Sequence, residues 1–254
     1  MKINKNTLIN SIFYPRKATI SMDNKDLLIN TEDGNKVGIR MHIANKAYPT
    51  ILFFHANAEL TIEYDDIAAY YNQENINFIV AGYRGYGFSS GMPSKESLLS
   101  DSNEIFIYVK KYLKDNKILS KIFLMGRSLG SAAAIQVSNS FQQDISGCII
   151  ESGFATEYPL LELLNVDPNL IDYKTSDGFD NLNKISSYTK PLYIIHADLD
   201  EIIPLSQAEL LFISCKSKIK DLFIVNGANH NNVIYMARQK YFSKIKSFID
   251  LSLS

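Results

Sequence analysis

The segment Gly126-Arg127-Ser128-Leu129-Gly130-Ser131 sets a serine between two glycines, directly after the apolar run Ile122-Phe123-Leu124-Met125. On a sharp strand-to-helix turn this G-x-S-x-G spacing lifts a hydroxyl above a sheet, and the flanking glycines leave room for close approach. The Leu129 amide then points to where an oxyanion would form. A serine hydroxyl is a weak nucleophile unless a base takes its proton, and that base needs a carboxylate to orient it. The chain has four histidines. His42 precedes the apolar core, while His55 and His196 each close an apolar run. His230 lies in the polar loop Asn226-Gly227-Ala228-Asn229-His230-Asn231-Asn232, which gives it the flexible setting a base reaching to Ser128 needs. The competing reading is a solvated loop histidine. Between serine and histidine, the stretch His196 to Pro204 offers Asp198, Asp200 and Glu201. Serine, acid and histidine in that order suit acyl transfer on a parallel sheet.

Such a constellation needs strands to hold it. Continuous apolar runs recur at Ile51–Phe54, Phe78–Ala81, Ile122–Met125, Cys148–Ile150, Leu192–Ile195 and Leu222–Val225, the mark of strands covered on both faces. Val37–Ile43 alternates and predicts an antiparallel edge strand. Helical periodicity fills the gaps: Leu60 to Tyr71, Leu98 to Tyr112 after Pro93-Ser94, and Ile234 to Phe248 as one terminal helix. Alternating strand and helix predicts an α/β fold, a mostly parallel central sheet with helices on both faces. No repeat or low-complexity linker divides it, so residues 1–254 read as one domain. The longest connection, between the Cys148 and Leu192 strands, reads either as a small lid within residues 154–190 or as an ordinarily packed helix.

With 254 residues, 46% of them hydrophobic, the chain can bury a sizeable core. Its 26 basic and 27 acidic residues are well mixed, so no field favours nucleic acid. Cys148 and Cys215 read as buried thiols in a reducing compartment. No convincing signal peptide or run of about eighteen apolar residues is present. The composition therefore predicts a soluble cytoplasmic globular protein.

The chain resembles an α/β-hydrolase, nearest to the Bem46-like and ABHD17-like serine hydrolases. The stretches Ile12-Phe13-Tyr14-Pro15-Arg16, Phe53-Phe54-His55-Ala56-Asn57-Ala58-Glu59, Tyr83 to Ser94, Gly126 to Ser131, His196 to Pro204 and Asn226 to Asn231 carry the likeness. The resemblance implies Ser128 as nucleophile, Asp200 as acid, His230 as base, and the amides of Asn57 and Leu129 as the oxyanion hole. Ala56, Ala197 and Gly82 depart from the family pattern of glycine, glycine and aspartate. Of these Ala56 bears most on the oxyanion hole, where its methyl would tighten the hole or tilt the Asn57 amide. The family includes protein depalmitoylases, but their amino-terminal cysteine cluster is missing here.

Other signals point away from cofactors. Gly85 to Gly91 reads G-x-G-x-x-x-G rather than a dinucleotide fingerprint, and Asp101 sits in a helical pattern. The scattered histidines lack metal-ligand spacing. Arg127 is expected to lay its stem on the surface, with binding of an anionic substrate as the alternative. The expectation is a cofactor-free serine esterase or thioesterase acting on a small-molecule acyl ester. Its rival is a hydrolase-fold protein that binds without turnover. Between Gly153 and Pro191, Tyr158, Leu160, Leu161, Leu163 and Leu164 are available for a small acyl pocket. Such a pocket favours short chains, about two to six carbons, because each buried methylene adds about 0.8 kcal/mol only while it finds room.

Overall fold

Neighbouring residues of each apolar run face opposite ways, and both ways lead into packed side chains. In the computed structural model, which describes residues 4–118 and 121–254, the strands are β1 (Asp26–Asn30), β2 (Lys36–His42), β3 (Thr50–Phe54), β4 (Asn77–Ala81), β5 (Ile122–Arg127), β6 (Gly147–Glu151), β7 (Leu192–Ala197) and β8 (Lys220–Val225). Leu52, Phe54, Ile79, Leu124, Cys148 and Ile194 pack on one side with the helices Lys95–Asp115, Gly130–Ser140 and Leu205–Ser214. Ile51, Phe53, Phe78, Phe123, Ile149 and Tyr193 pack on the other, with the helices Asp65–Gln73 and Gln239–Leu253. With a side-chain period of two, a strand covered on both faces has to be apolar at every position. Each such side chain taken fully out of water contributes about 1.5–3 kcal/mol. Ser94 starts the helix Lys95–Asp115, accepting from the Ser97 amide at 3.0 Å while Ser97 Oγ accepts from the Ser94 amide at 2.9 Å.

The strands form one sheet in the order β1-β2-β4-β3-β5-β6-β7-β8. β3 to β8 are mutually parallel; β1 and β2 run antiparallel to their neighbours. After β3 the chain steps outward to β4 and then crosses back to β5 on the other side. The carboxyl ends of β3 and β5 therefore flank a crevice at the reversal of strand order, where open α/β sheets bind ligands.

Two expectations need correction. Val37–Ile43 does not make an edge strand: β2 lies between β1 and β4, and β1 is the edge. The polar positions that made it alternate are buried, because the Arg40 guanidinium meets Asp65 at 2.6 Å, Asp26 at 2.8 Å and Asp23 at 2.9 Å. The terminal helix is two helices, Val233–Ala237 and Gln239–Leu253, broken at Arg238 with φ +51°. The connection from β6 to β7 carries helices in different surroundings. Its helix Tyr158–Leu163 overhangs the crevice, while Ile185 of its helix Asn181–Ser186 is packed in the core. Among the described residues no helix is long and apolar enough to cross a membrane.

Candidate active site

At the end of β5, Ser128 takes φ +51°, in the left-handed region that L-residues rarely adopt. Its amide donates to Glu151 O at 2.9 Å, and its carbonyl accepts from Ser131 Oγ at 2.6 Å and the Ser131 amide at 2.9 Å. The two glycines are a steric requirement. A Cβ on Gly126 would stand 2.2 Å from Gly130 O, and one on Gly130 would stand 2.0 Å from Phe54 O. Only hydrogen at both positions lets the turn close against itself and against β3.

The loop after β8 brings His230 over this turn. Its Nε2 lies 3.0 Å from Ser128 Oγ, and its Nδ1 lies 2.8 Å and 3.0 Å from the Asp200 carboxylate oxygens. The carboxylate fixes the tautomer: Nδ1–H donates to Asp200, leaving Nε2 to accept from the serine hydroxyl. Asp200 Oδ1 also accepts from the amides of Ile202 and Ile203 at 3.0 Å and 2.7 Å. Burial pushes the Asp200 carboxyl up, but the His230 hydrogen bond and charge, the Ile203 amide and His196 outweigh it. The group stays below its ordinary value.

His230 is not the freely moving loop residue that its neighbours suggested. It is buried, and its loop is tied down by Leu199 N to Ala228 O at 3.0 Å and Gly227 N to Asp198 Oδ1 at 2.7 Å. Asp198 thus braces the loop, and it and Glu201 are exposed.

On the other side of Ser128, the turn after β3 carries Asn57. Among the described residues neither the Asn57 nor the Leu129 amide donates to a protein acceptor. The Asn57 side chain holds its own turn, taking Oδ1 hydrogen bonds from Tyr86 Oη at 2.6 Å and the Tyr14 amide at 3.0 Å, and giving one to Ile12 O at 2.6 Å. Ala56 is buried and does not have positive φ, so its methyl needs no strained backbone. Over Ser128 lies a cavity of about 290 Å³ whose apolar wall includes Ile12, Leu160, Leu163, Leu164 and Ile202. Of the residues expected there, Leu161 is buried beneath the helix, and the Tyr158 hydroxyl donates to Tyr173 O at 3.2 Å instead.

Arg127 does not lie on the surface. It is 9% exposed, and its guanidinium pairs with Glu151 (Nε to Oε1, 3.2 Å) and with Glu59. It also donates from Nη2 to His230 O at 2.9 Å. Glu59 in turn accepts from the Ala56 amide at 2.8 Å. Burial pushes the Glu151 carboxyl up, offset only in part by Arg127 and by the Tyr241 hydroxyl that donates to it at 2.5 Å. The pairing of Arg127 with two carboxylates was not legible in the sequence because Glu59 and Glu151 lie 68 and 24 residues away. A charge closing the apolar run of β6 was the available signal.

Two of the other histidines have local duties. Neutral by burial, His196 donates to Ile203 O at 2.8 Å and His55 to Ala56 O at 2.7 Å. Among the described residues no cluster of His, Cys, Asp or Glu is arranged to hold a metal ion. Asp101 grips Arg84 at 2.7 Å, a structural pairing beside the glycine-rich turn.

Comparison with known proteins gives the geometry a context. Residues 45–164 match the hydrolase family model described as serine aminopeptidase, S33. Protein bem46 of Schizosaccharomyces pombe is 31% identical over 206 residues, covering 79% of this chain and 67% of that protein. Alpha/beta hydrolase domain-containing protein 17B of Xenopus tropicalis is 28% identical over 229 residues, covering 88% and 74%. Among solved structures, the Pyrococcus furiosus esterase Pf2001 superposes with a TM-score of 0.75 at 19% identity, over 93% of this chain and 98% of that one. Est1E of Butyrivibrio proteoclasticus, solved with ferulic acid bound, superposes with a TM-score of 0.73 at 18% identity, over 89% and 99%. Both share the fold.

Proposed function

Because the chain belongs to the α/β-hydrolases of the Bem46 and ABHD17 type, we propose that it is a serine hydrolase cleaving carboxylic esters through an acyl-serine intermediate, with short acyl chains favoured. The observation that carries this reading is the continuous hydrogen-bond path from Ser128 Oγ through His230 to Asp200, at a serine held in the left-handed region.

In the first half-reaction His230 Nε2 takes the Ser128 proton as Oγ attacks the acyl carbonyl carbon. Charge develops on the carbonyl oxygen, and the amides of Asn57 and Leu129 are the donors offered to it. Preorganised donors of this kind are worth about 3–4 kcal/mol each when removed. Asp200 stabilises the imidazolium and holds it in register. The imidazolium then gives its proton to the leaving alkoxide, and the tetrahedral adduct collapses to acyl-serine plus alcohol. In the second half-reaction His230 activates water, which attacks the acyl-serine; Ser128 regains its proton and the acid departs.

The cavity supports the substrate size. At about 290 Å³ it sits at the small end of ligand pockets, which run about 300–1,000 Å³. Leu160, Leu163 and Leu164 line it, offering apolar surface to the first few methylenes of an acyl chain. The two cysteines, buried and unpaired, fit the reducing conditions of the cytoplasm. The direct test is covalent trapping: a fluorophosphonate, which reacts only with an activated serine, should modify Ser128. Turnover without such labelling would refute the reading.

A further inference from the structure

Arg127 occupies the variable position of the nucleophile turn, yet its side chain serves three separate segments. One guanidinium pairs with Glu151 at the end of β6, with Glu59 in the turn after β3, and with the backbone carbonyl of His230 in the loop after β8. A weaker contact at 3.4 Å reaches Asn231 Oδ1. Glu59 passes the connection on, since its Oε2 accepts from the Ala56 amide at 2.8 Å, one residue before Asn57. The planar fork of an arginine can meet several acceptors in fixed directions, which the point charge of a lysine cannot.

We infer that Arg127 is a positioning residue that sets the base and the oxyanion-hole turn at their working distances from Ser128. This rests on the ester-hydrolase reading above. The geometry argues against an anion-binding role: Nε, Nη1 and Nη2 are all engaged by protein acceptors, and Glu59 and Glu151 surround the charge. It also separates Arg127 from a residue that merely fills space. Its contacts end on the backbone carbonyl of His230, which carries the base, and, through Glu59, on the Ala56 amide, one residue before the Asn57 amide. Displacement of such groups by about 1 Å costs on the order of 100-fold in rate.

The test compares the wild-type chain with Arg127→Ala and Arg127→Lys on 4-nitrophenyl acetate, with and without guanidinium chloride at matched ionic strength. The expected result for Arg127→Ala is a fall in kcat of about 100-fold with KM within about threefold, and recovery of about tenfold when guanidinium is supplied. Arg127→Lys keeps the charge and loses the fork; its kcat should fall about tenfold with thermal stability near that of the wild type. If the alanine variant does not fold, the lysine variant decides. A lysine variant within twofold of wild-type kcat would overturn the inference. So would a loss carried by KM, or a folded alanine variant that guanidinium does not restore. A wild-type chain without esterase activity would overturn the underlying reading and this inference with it, whereas an active wild type with an indifferent lysine variant overturns this inference alone.

Discussion

Asp200 meets His230 Nδ1 through both carboxylate oxygens, at 2.8 Å and 3.0 Å, while the amides of Ile202 and Ile203 fix the same carboxylate from behind. Asp198, two residues earlier, points to the Gly227 amide and makes no contact with the imidazole. Asp200→Asn should therefore lower kcat about 10³–10⁴-fold, because the amide no longer selects the reactive tautomer. Asp198→Asn keeps an acceptor for Gly227 and should cost less than about threefold. Steady-state kinetics of both variants on one short ester checks this, and the reverse ranking would move the acid.

The side chains proposed to react were legible because each closes or follows a strand whose continuous apolar run announces it. Ser128 follows β5, Asp200 follows β7 and His230 follows β8, and a parallel sheet presents all three ends on one edge. What escaped notice depended on partners distant in sequence. Arg40 made β2 look half-solvated, because nothing local marks Asp23, Asp26 and Asp65 as the charges that bury it. Arg127 was misread for the same reason. The break at Arg238 carries neither glycine nor proline, so periodicity runs straight through a residue held at φ +51°. β1 was missed because Leu27 and Leu28 are only half-buried and Asp26 and Asn30 bracket them.

The proposed short-chain preference is testable at the cavity wall. On 4-nitrophenyl esters below micelle formation, kcat/KM should peak at about two to six carbons, where the first methylenes gain most from a cavity of about 290 Å³. Leu164→Ala, which removes part of the apolar lining and enlarges the cavity, should move the maximum toward longer chains. A maximum at long chains in the wild type would contradict the short-chain reading and favour a depalmitoylase-like thioesterase.

Stability should depend on pH through Glu157, the buried residue that precedes the overhanging helix Tyr158–Leu163. Burial raises its carboxyl to about 7 from an ordinary 4.5, despite the hydrogen bond it accepts from the Phe179 amide at 2.6 Å. The folded chain thus holds this proton more tightly than the unfolded chain. The resulting stabilisation is complete below about pH 4.5 and lost as pH rises through about 7. Glu157→Gln should erase that slope, matching the wild type near pH 4.5 and exceeding it at pH 8 by up to about 3 kcal/mol. Urea unfolding of both proteins across this range is the measurement. Parallel curves would show that Glu157 does not carry the effect.

The central claim, that His230 and Asp200 make Ser128 the reacting nucleophile, is tested most directly by fluorophosphonate labelling followed by peptide mass spectrometry. The wild-type chain should gain one adduct, on the peptide containing Ser128. Ser128→Ala should gain none and lose about 10⁴–10⁶-fold in ester turnover, and His230→Ala should label far more slowly. An adduct on another residue, or full turnover by Ser128→Ala, would contradict the account.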